Sequence, residues 1–239
     1  MKIKLLGLVF ILYCSGARAD EFTGDLTLAD QLYSKGDYTR AALAYERAIA
    51  AYPSAAAYNN LGNARLALFD YPMALACFKK AIGLDPEYAE PWYNLGNAVY
   101  DQHRFADAAG AYQKSIDISP GFEQAWYNLG NAFFKLELYS EARKSYARAL
   151  ELNPADYQAA YNFGNCCYDL HEYPEAIQAY KAAAQLNPHD PLPHKNMYEL
   201  YLIINNRNSA NSELEIVRKM SGLLAEELLR FKPGNTVRK

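Results

Sequence analysis

The chain has 239 residues, 51% of them apolar and 14% aromatic, with 24 basic against 27 acidic residues for a net charge of −3. With that balance and no clustered basic face, phosphate backbones are repelled, which argues against a nucleic-acid ligand. After the N-terminus no apolar segment is long enough to cross a bilayer, so no membrane span is expected.

The N-terminus opens with Lys2 and Lys4, continues with the apolar run from Leu5 to Tyr13, and reaches Ala17-Arg18-Ala19. That order reads as a secretory signal peptide over 1–19, cleaved after Ala19, which predicts a periplasmic or secreted protein. A lipid anchor at Cys14 is the alternative, against which stands the bulky Tyr13 before it. Removing Lys2, Lys4 and Arg18 leaves 21 basic against 27 acidic residues, a net charge near −6.

Self-similarity follows with a period of 34 residues. Gly62, Gly96, Gly130 and Gly164 each sit in the same phrase, from Tyr58-Asn-Asn-Leu-Gly-Asn63 to Ala160-Tyr-Asn-Phe-Gly-Asn165. Twelve residues beyond each glycine stands Ala74, Ala108, Ala142 or Ala176, and four further on Phe78, Tyr112, Tyr146 or Tyr180. Ala81, Ser115, Ala149 and Ala183 come next, and Pro86, Pro120, Pro154 or Pro188 ends the unit, where a fixed φ and a missing N–H stop a helix.

These residues resemble the tetratricopeptide repeat (TPR), a family whose pattern of Trp/Tyr, Leu-Gly, Ala, aromatic, Ala and Pro is highly specific. The resemblance implies an all-α, right-handed solenoid of stacked antiparallel helix pairs. Four strong repeats are expected at 55–88, 89–122, 123–156 and 157–190. A degenerate first repeat at 20–54 has Ala29 in the glycine place and lacks one residue before Ala55. A degenerate sixth at 191–224 puts Tyr198 there. Atypical ends are expected of such an array, whose terminal repeats face water. The segment Glu213 to Phe231 reads as one last capping helix, with the end of that helix and a basic tail filling 225–239.

Helical spacing accounts for the pattern. Trp126, Leu129, Gly130 and Phe133 share one stripe, and a glycine in a helix costs about 1 kcal/mol relative to alanine. Its recurrence predicts close approach of the second helix, where a Cβ would clash. Opposite that stripe fall two asparagines per strong repeat: Asn60 and Asn63, Asn94 and Asn97, Asn128 and Asn131, Asn162 and Asn165. Tyr93, Tyr127, Tyr161, Tyr100, Phe134 and Tyr168 flank them. An amide offers both donor and acceptor to a peptide backbone, and aromatic rims cost little rotamer entropy. Together they read as a peptide-binding groove, and in the family the first helices line the concave face, where asparagines hold bound segments. The plainer reading is that asparagine is the family default there, used for hydrogen bonds between repeats.

The clamp by which some members grip a C-terminal carboxylate needs cations beside these asparagines. Only Lys135 and Lys195 are placed to supply them, whereas Asp101 and Asp169 favour a neutral or mildly basic segment. Cys77, Cys166 and Cys167 read as small core residues, and His103 and His171 as solvated turn residues. His189 and His194 lack further ligands, and no catalytic motif occurs, so no metal, cofactor or enzymatic activity is expected. Two functions remain: a scaffold that binds a protein or peptide partner, or a structural protein that forms homo-oligomers through its terminal caps.

Overall fold

The computed structural model describes residues 23–230. The signal-peptide segment, Cys14 and the basic tail lie outside the described residues. Among the described residues there are thirteen helices and no strand. The chain divides after Ala125 into two compact units.

The first unit holds α1 (23–34), α2 (Tyr38–Ala51), α3 (Ala55–Ala67), α4 (Tyr71–Leu84), α5 (Ala89–Tyr100) and α6 (Phe105–Ile118). Here α3 packs on α4 and α5 on α6, while α2 also packs on α3 and α4 on α5. The boundary falls inside α7 (Glu123–Lys135). The second unit continues with α8 (Tyr139–Leu152), α9 (Tyr157–Asp169), α10 (Tyr173–Leu186), α11 (Leu192–Ile203), α12 (Arg207–Met220) and α13 (Gly222–Leu228). From α8 to α13 each helix packs on the next. Each unit is therefore an all-α stack of helix pairs.

Local chemistry explains the boundaries. Asp37, Ser54, Asp70 and Asp156 cap the helices that follow them, each accepting from a backbone N–H in the first turn. Between pairs, Pro86, Pro120, Pro154 and Pro188 sit in turns closed by backbone bonds such as Phe122 N–H to Ser119 O (3.0 Å). Within pairs, one residue adopts the left-handed conformation at each turn: Gly36, Phe69, His103, Glu137, His171 and Asn205, all with φ near +60° to +79°. That conformation lets the next N–H reach back to the helix end, as Asp70 does to Arg65 O at 2.9 Å.

The glycines meet the predicted close approach. A Cβ on Gly62, Gly96, Gly130 or Gly164 would lie 2.5–2.7 Å from the ring of Phe78, Tyr112, Tyr146 or Tyr180. Those four rings are buried, as are Ala74, Ala108, Ala142 and Ala176 four residues before them. The glycine thus serves as a seat for an aromatic ring rather than for a second backbone.

The C-terminal end corrects one expectation. Glu213 to Phe231 does not form a single helix, because α12 ends at Met220 and Ser221 is extended (φ −152°, ψ 98°). Ser221 caps α13 by accepting from Leu224 N–H, and Gly222 opens the new helix. A cap-forming serine followed by a poor helix former breaks a run that apolar spacing alone makes continuous. The break lets Ala225 and Leu228 join Leu214 and Val217 in the core.

Candidate functional site

The asparagine that follows each glycine is tied to the second helix of its own repeat. Tyr112 donates to Asn97 Oδ1 at 2.8 Å, Tyr146 to Asn131 Oδ1 at 2.7 Å and Tyr180 to Asn165 Oδ1 at 2.8 Å. In the first repeat Tyr45 donates to Asp30 in the equivalent place, at 2.6 Å. Phe78 has no hydroxyl, so Asn63 stands outside this pattern.

The asparagines two places before Gly96 and Gly164 reach the preceding repeat. In the first unit Asn94 Nδ2 donates to Asn59 Oδ1 at 2.9 Å, and Asn59 Nδ2 to Asn60 Oδ1 at 3.4 Å. In the second unit Asn162 Nδ2 donates to the Tyr127 hydroxyl at 3.3 Å and to Asn131 Oδ1 at 3.4 Å. Asn131 and Asn165 donate in turn to Asn128 and Asn162. The network extends to Asn196 of the degenerate repeat, which donates to the Tyr161 hydroxyl at 3.0 Å. All eight asparagines singled out in sequence are partly exposed, whereas Asn59 and Asn196 are buried.

The flanking aromatics pack on second helices. Tyr93, Tyr127 and Tyr161 lie over Tyr112, Tyr146 and Tyr180, with ring centroids 5.9, 5.8 and 5.6 Å apart. Tyr100 packs on Phe105 and Phe134 on Tyr139, and both stay partly exposed. Tyr168, placed by its spacing at the rim, is instead buried in the core of the second unit beside Ile177 and Tyr180.

Sequence spacing missed the hydroxyls of Tyr112, Tyr146 and Tyr180 as amide partners, because their places read as core aromatics. The signal was present: three of the four strong repeats use tyrosine where phenylalanine fills the same volume. It also missed Asn59 and Asn196, which occupy the third place before glycine and a degenerate repeat respectively.

Reactive groups are subdued. Cys77, Cys166 and Cys167 are free and buried, and burial pushes the Cys77 thiol up to about 11, Cys167 to about 12 and Cys166 higher still. Such thiols stay protonated and unreactive near neutral pH. His103 and His171 are exposed in left-handed turns, and His194 bonds Glu213 at 2.6 Å. No group of three metal-ligating side chains occurs among the described residues. Of the two candidate clamp cations, Lys195 pairs with Glu199 at 3.5 Å and Lys135 is exposed. No described helix is long and apolar enough to cross a membrane.

Helix pairs, glycine-seated rings and an amide network on the first helices define a helical-repeat protein. A family model described as the cilia and flagella-associated protein 70 C-terminal domain matches residues 25–191, and the chain belongs to this tetratricopeptide-repeat family. No curated protein matches the sequence. Among solved structures, YrrB, described as a TPR protein with an unusual peptide-binding site, matches with a TM-score of 0.73 and 26% identity over 80% of this chain and 100% of that one. PilF of Pseudomonas aeruginosa matches with a TM-score of 0.73 and 20% identity, over 89% and 98% of the two chains. MamA matches at 0.64 with 23% identity, over 71% and 93%. At their identities PilF and MamA speak for the fold alone.

Proposed function

We propose that this chain is a non-catalytic scaffold of the cell envelope that grips an extended peptide segment of a partner protein on its first helices. The observation that carries this reading is the fixed pose of partly exposed amides, with Asn97, Asn131 and Asn165 each held through Oδ1 by a tyrosine hydroxyl. An amide whose orientation is already set meets a ligand without losing rotamer freedom. The partly exposed Tyr100 and Phe134 supply apolar surface beside these helices. The likeness to YrrB, a TPR protein with a peptide-binding site, supports the same use. Placement in the envelope rests on the signal-like residues 1–19.

The test is capture from envelope extracts by residues 20–239, run beside an Asn94→Ala/Asn128→Ala variant and with thermal melts of both. A protein held by the wild type and lost by a folded variant supports the reading. Equal recovery by both sinks it.

Recovery of nothing but copies of the chain favours the rival, self-assembly through the C-terminal end. Leu223, 83% exposed on α13, is the feature that favours that rival. Glu226, Glu227 and Arg230 are exposed around it, which is the composition of a solvated cap.

A further inference from the structure

Two features of the first unit serve no purpose in folding, and both line one groove. Gly110 stands in the middle of α6, where glycine weakens a helix, yet a Cβ there would meet nothing within 4 Å. It seats no ring, unlike the four repeat glycines, and the places equivalent to it hold Ala76, Lys144 and Gln178. Trp92 of α5 keeps its indole N–H buried with no hydrogen-bond partner. Shielded from bulk water, that donor is not satisfied by solvent either, which native structures seldom tolerate.

The groove has a volume of about 400 Å³, within the range of small-molecule sites, and is formed by α4, α5 and α6. Leu75, Leu95, Val99, Ala106 and Ala111 make its lining apolar. At its rim Arg104 and Asp107 pair with each other at 2.6 Å and leave no net charge. Lys79 lines it as well, is exposed, and makes no ion pair among the described residues.

A groove at the equivalent place two repeats on, within the second unit, is lined by Ala160, Phe163, Glu175, Gln178 and Ala179. There Ala160 replaces Trp92, Gln178 replaces Gly110, and Ala147 stands at the place of Lys79. The orphan donor, the opening at glycine and the unpaired cation therefore come together in the first unit's groove and are all missing from its counterpart. An apolar chain suits the lining, an acceptor suits the indole N–H, and negative charge suits the ammonium. A carboxylate on an apolar chain meets all three needs.

We propose that the first unit binds a small apolar carboxylic acid, with its chain lying over Gly110 and its carboxylate between the Trp92 indole N–H and the Lys79 ammonium. This site shares no residue with the amide network, so it stands or falls apart from the peptide reading.

The probe is sodium octanoate, with octanamide as its neutral counterpart, titrated into residues 20–239 while the tryptophan indole N–H resonances are followed by two-dimensional NMR. The chain has two tryptophans, Trp92 and Trp126, and Trp92→Phe assigns their signals. The expected result is a saturable downfield shift at Trp92 with Trp126 unmoved. Binding is expected to be about tenfold weaker for octanamide, about fivefold weaker in Lys79→Met, and lost in Gly110→Leu, whose side chain fills the groove.

Leucine at 110 has open space and is the better helix former, so Gly110→Leu is expected to melt no lower than the wild type, and its loss of binding then reports the groove. An unmoved Trp92 signal, equal shifts at both tryptophans, octanamide bound as tightly as octanoate, or undiminished binding in a folded Gly110→Leu overturns the proposal. Should Gly110→Leu unfold, the exposed change Lys79→Met decides alone, and unchanged affinity in it has the same force.

Discussion

Phe69 holds a left-handed backbone (φ 59°) with a ring 77% exposed, although its equivalent in the first repeat is Gly36. A side chain pays about 1–2 kcal/mol for that conformation, against roughly 0.5–1 kcal/mol that glycine loses in freedom on folding. Phe69→Gly is therefore expected to stabilise the protein by about 0.5 kcal/mol, measured as a higher urea midpoint. A lower midpoint would mean that the ring contributes contacts its exposure does not suggest. The row of left-handed residues could not be read from sequence, because Phe69, His103, Glu137, His171 and Asn205 share no chemistry. The glycines could, since a residue that weakens a helix at a fixed period announces a steric need. The hydroxyl–amide bonds fell between these cases. Tyrosine and phenylalanine look alike to an apolar pattern, and the single Phe78 marks the difference.

Among the helices, α8 begins without a side-chain cap. Leu138 stands at its N-cap with φ −85° and ψ 66°, the geometry in which Asp37 and Asp70 cap α2 and α4. Leu138→Asp is expected to add about 1 kcal/mol, read from thermal unfolding, with no change in helix content. No gain would mean that the apolar contacts of Leu138, which is 43% exposed, offset the cap. Helix positions were readable because prolines and apolar stripes agree with one another through four repeats. At Ser221 the apolar stripe runs on while a serine cap stops the helix, and the cap prevails. Tyr168 was misplaced for a related reason. Spacing assigns a face, whereas α10 and its Ile177 decide what that face meets.

For the protein as a whole, stability is expected to respond to alkali. The folded thiols of Cys77 and Cys167 titrate near 11 and 12, above the ordinary value of 9, because burial disfavours the thiolate. Below pH 9 the thiols are protonated in both states, so their contribution is fully present. As pH rises from 9 toward 11 the unfolded thiols ionise ahead of the folded ones, and stability falls. Buried Tyr45 and Tyr112, also pushed up chiefly by burial, extend the loss above pH 10. The urea midpoint should decline steadily above pH 9, and Cys77→Ala/Cys166→Ala/Cys167→Ala should flatten the first part of that decline. A midpoint constant to pH 11 would contradict the burial of these groups. The bonds from second-helix tyrosine hydroxyls to the first helices also bear on how such a chain is inherited. Tyr45 and Asp30, Tyr112 and Asn97, Tyr146 and Asn131, and Tyr180 and Asn165 all lie fifteen residues apart, inside one repeat. A duplicated or deleted 34-residue block carries both ends of its bond, so the array can lengthen or shorten by recombination without orphaning a buried hydroxyl.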